Sequence, residues 1–236
     1  MITNFQSKNT AERYSEGVLA EELSLKPIIL NFIKNNSLKN KNVLDLGCGN
    51  GDYSFIFAKR GAKVIGLDKS KHQISLAKKM NSHSKIEYLV GNAKDLNMIG
   101  EKSIDLVFMN MLLPNLKNKQ DLRILMREVK RILRKKGIFV ITSIHPHYFS
   151  QSKDRLDKPF GLKKGFRLKD GLRFSGEAIT NKGNKIVFND TYFSPTFISK
   201  ILSENELIIK NIVESRPIPQ RGIDLPKYLL ISGQKE

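Results

Sequence analysis

The sequence predicts an α/β fold in which a doubly wound, mostly parallel sheet carries helices on both faces. Short apolar runs recur at 43–46, 64–67, 86–90, 104–109 and 138–144, without the polar alternation of a sheet that is wet on one side. Stretches of helical spacing separate these runs. A glycine-rich turn follows the first run, where a strand hands over to a helix.

Residues 1–40 read as helical. The stretch 12–25 mixes acidic residues with Val18, Leu19, Leu23 and Leu25, and Pro27 stands where the start of a second helix, over 27–33, tolerates it. The strand at 43–46 runs into Gly47-Cys48-Gly49-Asn50-Gly51, and the helix after it, 52–60, stops at Gly61. A strand at 64–67 ends at Asp68, a helix covers 70–80, and strands follow at 86–90 and 104–109. Leu122, Leu125, Met126, Val129, Ile132 and Leu133 give 120–134 a helical apolar face. Lys135 and Lys136 then suit the negative helix end, and Gly137 is expected as its stop. The strand 138–144 comes next.

The rhythm breaks at 146–175, which is basic and rich in Gly and Pro turns. A hairpin is expected with strands at 173–180 and 185–193 around Asn181-Lys182-Gly183-Asn184. A helix at 195–205 and strands at 207–214 and 228–232 end the chain. The whole reads as one domain, 1–236. It has a helical lid at 1–40, a core at 41–145 that holds the glycine loop, a cap inserted at 146–194, and the end of the core sheet at 195–236.

Composition narrows the class. The chain has 236 residues, 40% of them hydrophobic, which is enough for one α/β core and too apolar for a disordered chain. No apolar run is long enough to cross a bilayer, so no membrane contact is expected. The first residues lack the basic and apolar regions of a secretory signal, so the cytoplasm is the expected location. The one cysteine, Cys48, excludes a disulfide framework and a Cys-rich zinc site. His72, His83, His145 and His147 are too scattered for a metal site, and none is expected. Lys and Arg number 41 against 23 Asp and Glu, a net +18 that permits a nucleic-acid partner. With 30 Lys against 11 Arg, alongside 19 Asn, the charge reads more as background composition than as an Arg-built recognition surface. The stripe Arg123, Arg127, Lys130 and Arg134 reads as a solvated helix face.

The glycine loop carries the strongest signal. Its glycines let the backbone turn sharply between strand and helix and approach a ligand closely. A dinucleotide loop, G-x-G-x-x-G, sets a pyrophosphate on the helix N-terminus. Here the third of those positions is Asp52, and Asp45 precedes the loop. Two carboxylates repel a pyrophosphate and suit a ligand with an ammonium group and no phosphate.

Asp68 stands seventeen positions after Gly51, ending the second strand. Gly91-Asn92-Ala93-Lys94-Asp95-Leu96 follows the third strand, and Ser103-Ile104-Asp105-Leu106-Val107-Phe108-Met109-Asn110 spans the fourth. In this set of motifs residues 40–144 resemble the class I S-adenosylmethionine-dependent methyltransferases of the small-molecule type. The resemblance implies a Rossmann-like seven-stranded sheet with an antiparallel last strand, and S-adenosylmethionine as cofactor. It also implies transfer of a methyl group, by direct displacement, to an oxygen or nitrogen of a small acceptor. Carried over, Asp45, Gly47 and Gly49, with Cys48 and Gly51 in the same loop, meet the methionine end. Asp68 holds the ribose with Lys69 beside it. Asn92 and Ala93 meet the adenine, Asn92 standing where the family usually has Asp. Met109 and Asn110 line the site from below, and Tyr14 closes over the cofactor.

His145 follows the fifth strand directly, its ordinary pKa suits a general base, and it is the expected catalytic residue. The hairpin aromatics Phe174, Phe188, Tyr192 and Phe193 suit an aromatic acceptor. Residues 153–173, with eight Lys or Arg and three Asp, suit an anionic one. The Asn/Asp-Pro-Pro-aromatic segment that grips exocyclic base amines is missing after Asn110. A tRNA or rRNA methyltransferase using the basic surface is the alternative, and an inactive cofactor-binding module is the second. Monomer and homodimer both stay open.

Overall fold

The computed structural model describes residues 8–149, 157–160, 167–217, 219 and 224–236. Its helices are α1 (Lys8–Tyr14), α2 (Lys26–Asn35), α3 (Asp52–Lys59), α4 (Lys71–Met80), α5 (Lys119–Ile132) and α6 (Pro195–Ser203). Its strands are β1 (Asn42–Leu46), β2 (Lys63–Asp68), β3 (Ile86–Val90), β4 (Ile104–Met109), β5 (Leu133–Ile144), β6 (Asp157–Phe160), β7 (Leu172–Ile179), β8 (Lys185–Tyr192), β9 (Leu207–Glu214) and β10 (Tyr228–Lys235).

One sheet has seven strands in the order β3-β2-β1-β4-β5-β10-β9. Strands β1 to β5 are parallel, and β10 runs antiparallel to both β5 and β9. This is the expected fold class. The chain builds outward from β1 through β2 to β3, then returns to β4 on the other side of β1. Strand order reverses between β1 and β4, which leaves a crevice at their C-terminal ends.

Residue alternation covers both faces. Val43 packs with Ile29 and Ile33 of α2 and Phe57 of α3. Its neighbour Leu44 packs on the opposite side with Leu122, Leu125 and Val129 of α5. The apolar stripe expected on 120–134 is thus the buried face of α5. Side-chain caps start three helices. Ser70 accepts from the Gln73 amide, Asn118 from Asp121, and Ser194 from Phe197.

The expected hairpin is present as β7 and β8, joined by the 181–184 turn. Strand β6, which the sequence did not suggest, pairs with β7 to complete a separate three-stranded antiparallel sheet. Of the expected cap and its basic segment, residues 150–156 and 161–166 lie outside the described residues, and so do residues 1–7 at the N-terminus.

Two local expectations are corrected. The stretch 12–25 is not one helix: α1 ends at Tyr14, Gly17 takes φ 76°, and Val18 bridges to Thr180 of the hairpin. Helical pairing resumes as a π-helical turn at Glu21–Leu25 that runs into α2. Gly137 is not the stop of α5. That helix ends at Ile132, and β5 begins at once with a bulge, Ile104 pairing with Leu133 and Leu106 with Ile138. Lys136 takes the positive φ, 59°, and Gly137 is required because a Cβ there would lie 2.8 Å from the Arg134 carbonyl.

Three of the four residues in the basic stripe, Arg123 and Lys130 on α5 and Arg134 at the start of β5, have partners within the molecule. Lys130 binds Glu206 at 2.7 Å, Arg134 binds Asp105 at 3.0 Å, and Arg123 lies over the Phe197 ring at 5.5 Å.

Candidate active site

A cavity of about 650 Å³ opens at the C-terminal ends of β1 and β4, within the size range of small-molecule sites. It is lined by the glycine loop, the start of α4, residues 91–94 after β3, residues 110–112 after β4, and α1 with the segment behind it. Of the residues expected to bind cofactor, it brings together Tyr14, Asp45, Gly47, Cys48, Gly49, Asp68, Lys69, Asn92, Ala93 and Asn110.

The loop is built by hydrogen bonds to the neighbouring strand. Gly47 and Cys48 donate their amides to the Leu67 carbonyl, at 2.7 and 3.0 Å, which bends the chain off β1 toward β2. Gly49 takes φ 53° and donates to Asp68 Oδ2 at 3.1 Å, and Ser70 donates to Asp68 Oδ1 at 2.8 Å. Asp68 is thus fixed from both sides. Burial raises its pKa, opposed by those two amides and by Lys69.

Asp45 is 2% exposed and accepts from Ser54 Oγ at 2.6 Å. Burial pushes its carboxyl up to about 7, opposed by the Ser54 hydrogen bond and reinforced by the negative charge of Asp68. Cys48 is buried too, and burial followed by the Asp45 and Asp68 charges raises its thiol well above the usual range. It is an inert loop residue. Asn92 Oδ1 accepts from the Lys94 amide at 3.1 Å, which shapes the turn after β3. Asn110 Oδ1 accepts from Thr142 Oγ1 at 2.7 Å, and that hydroxyl accepts from the Met111 amide at 2.9 Å.

Three expected residues lie elsewhere. Met109 faces the α5 side of the sheet and is fully buried there, because alternation along β4 sends it opposite to Asn110. Gly51 starts α3 at φ 84° outside the cavity lining, and a Cβ on it would collide with the Tyr88 hydroxyl. His145 does not line the cavity. Its Nδ1 accepts from the His147 amide at 3.0 Å, so Nε2 carries the proton and donates to Glu214 Oε1 at 3.2 Å. Burial lowers its pKa, with help from His147 and against Glu214. His145 ties the end of β5 to β9.

The sequence reading missed several lining residues. Glu21, Glu22 and Asp121 add carboxylates to Asp45 and Asp52, which the loop motif had singled out, and Gln73, Met111 and Asn115 add wall. Only Gln73 left a trace, as a polar residue on the buried face of α4 beside Ile74 and Ala77. Six carboxylates line the cavity, from Glu21, Glu22, Asp45, Asp52, Asp68 and Asp121, against three ammonium groups, from Lys69, Lys94 and Lys117. Lys94 is already bonded to Asp121 at 2.7 Å. In a chain of net charge +18 the cavity is therefore acidic. That rejects a pyrophosphate and suits a cationic ligand rich in hydrogen-bond donors.

A family model described as a methyltransferase domain matches residues 37–184. This chain belongs to that methyltransferase family. The chain is 32% identical over 133 residues to a ubiquinone biosynthesis O-methyltransferase of Pelagibacter ubique, covering 50% of this chain and 53% of the relative. It is 30% identical over 116 residues to a cypemycin N-terminal methyltransferase of a Streptomyces species, covering 49% of this chain and 46% of that one. The matched segment thus spans about half the length of these relatives. Among solved structures, the CcbJ methyltransferase of Streptomyces caelestis superposes with a TM-score of 0.69 at 17% identity, covering 99% of both chains. That likeness is one of fold.

The cofactor that the family implies is S-adenosylmethionine, and the described residues fit it. Its ammonium and sulfonium charges match the acidic lining, and its ribose hydroxyls need acceptors such as Asp68. Gly49 presents open space, with no atom within 4 Å of where a Cβ would stand. Among the described residues no group of three or more metal-binding side chains occurs, and no helix is long and apolar enough to cross a membrane.

In the ligand-free protein Asp45 keeps a proton that the unfolded chain has lost, so it lowers stability as pH rises from the ordinary carboxylate range to about 7. A cationic ligand favours the ionised form, so S-adenosylmethionine affinity should fall as pH drops from about 8 to about 6, and Asp45→Asn should flatten that dependence in calorimetric titrations. His145→Ala should lower the unfolding free energy by about 1–3 kcal/mol while leaving cofactor affinity unchanged, as read by thermal melts and the same titrations.

Proposed function

We propose that the chain transfers a methyl group from S-adenosylmethionine to an oxygen or nitrogen of a small-molecule acceptor. The observation that carries this reading is a second hollow beside the acidic cavity. In the ligand-free protein it holds only about 30 Å³, room for a water and not for a ring, so an acceptor reaches its wall from the larger cavity; that wall is Tyr14, Val18, Glu21, Met111, Asn115, Ile144, Tyr148, Phe188, Asp190 and Tyr228. Tyr14, Val18, Glu21, Met111 and Asn115 line both spaces, so the two adjoin.

S-adenosylmethionine supplies the activated methyl group when bound. The chain aligns the two ligands and keeps water out. Asp45 and the glycine loop face the methionine end, Asp68 the ribose, and Asn92 and Ala93 the adenine. Tyr148, Phe188 and Tyr228 give the acceptor flat apolar walls. An acceptor hydroxyl or ammonium has a proton to lose, and Glu21 and Asp190 are the carboxylates at the hollow that take it. The described lining of the hollow has acids and no base, which favours a neutral or amine-bearing aromatic acceptor over an anionic one. The toxoflavin-related N1-methyltransferase of Burkholderia thailandensis, with its acceptor and S-adenosylhomocysteine bound, shares the fold at a TM-score of 0.60 and 16% identity, covering 97% of this chain and 84% of that one.

The test uses purified protein, methyl-labelled S-adenosylmethionine and a cell extract split into small-molecule and macromolecular fractions. Label should pass to new compounds in the small-molecule fraction, and Asp68→Ala should reduce it about tenfold or more. Ribonuclease-sensitive label in the macromolecular fraction instead would make the acceptor an RNA and the basic surface its recognition site. With the product identified, Asp190→Asn should slow transfer about tenfold or more without weakening cofactor binding, and equal rates would remove Asp190 from the proton path.

A further inference from the structure

Gln73 is 2% exposed, sits in the first turn of α4 and lines the cavity. Its Nε2 donates to the Ala11 carbonyl of α1 at 3.4 Å. That contact fixes the amide orientation, because a carbonyl needs a donor. Gln73 Oε1 is then a buried acceptor with no hydrogen-bond partner among the described residues. Such an atom is destabilising until a donor reaches it. Its own amide is satisfied: Ser70 Oγ accepts from it at 3.3 Å, and the Ser70 amide donates to Asp68. Gln73 therefore stands one short relay from Asp68, on the side of the cavity that α1 covers.

We propose that Gln73 is a cofactor-positioning residue: its Oε1 accepts a hydrogen bond from a ribose hydroxyl of the adenosyl group while its Nε2 holds Ala11. One side-chain amide then links cofactor to α1, and ligand binding tightens the helix above it. The inference rests on the reading of the cavity as an S-adenosylmethionine site. A ribose hydroxyl fits better than a charged group, because a neutral amide oxygen can satisfy one donor without adding charge beside Asp68. The adenine amine is assigned to the far wall, at Asn92 and Ala93.

The probe is S-adenosylhomocysteine together with its 2′-deoxy and 3′-deoxy forms, measured by calorimetry. Wild-type protein should bind one deoxy form about threefold to tenfold more weakly than Asp68 alone would produce. Gln73→Met, which keeps size and removes both polar atoms, should erase that extra factor. Gln73→Glu, which keeps an acceptor and removes the donor to Ala11, should retain it. Amide exchange of residues 8–14 should slow on ligand binding in wild type, and should slow less in both variants. Thermal melts check that the variants fold. If the ratio of deoxy to parent affinity is the same in wild type and Gln73→Met, Gln73 has only a packing role and the proposal fails. If wild-type protein does not bind S-adenosylhomocysteine at all, the cofactor reading fails with it.

Discussion

Strand β1 is hydrogen-bonded to parallel neighbours on both sides, β2 and β4, and the chain leaves those neighbours in opposite directions. No connection can then close over the C-terminal end of β1. The loop that follows must turn back on itself, and it does so by giving two amides to Leu67. Everything in the candidate site is placed relative to that bend: Asp45 behind it, Asp68 beside it, and Asn110 across the gap at the end of β4.

The charge of the site runs against the charge of the molecule. Excess lysine is spread over the surface, where some of it is paired, as at Lys130–Glu206 and Lys185–Glu177. The carboxylates converge in the cavity. Partial burial there strengthens their field on a bound cation, because little water intervenes. Asp45 shows the cost of this arrangement, since burial pushes its carboxyl up to about 7 against the support of Ser54. Net charge alone therefore does not describe the candidate site, whose local sign is the opposite one.

The sheet and the glycine loop were legible in the sequence because they rest on local rules. Apolar runs mark strands buried on both faces, and positive-φ turns call for glycine. Asp68 was legible for the same reason, through its fixed distance from the loop. What failed depended on direction or on distant partners. Ile144 lines the hollow, so His145 points the other way and finds Glu214, 69 residues on. Met109 and Asn110 differ for the same cause. Gln73 meets Ala11 from 62 residues away, and no local pattern announces such a contact. Lys136, not Gly137, absorbs the left-handed turn at the start of β5, because the bulge there depends on pairing with β4.

The roof of the cavity joins the two parts of the chain that are outside the main sheet. Glu16 accepts from the Thr180 hydroxyl at 2.7 Å and from Asn184 at 2.9 Å, and Val18 bridges to Thr180. The apolar cluster beneath them is small, made of Val18, Ala20, Ala178 and Ile186, and is separate from the two large clusters that hold the sheet. Such a unit opens locally at far less free energy than global unfolding. Opening of that unit leaves the sheet and the glycine loop in place, so the roof can part from the hairpin without loss of the fold.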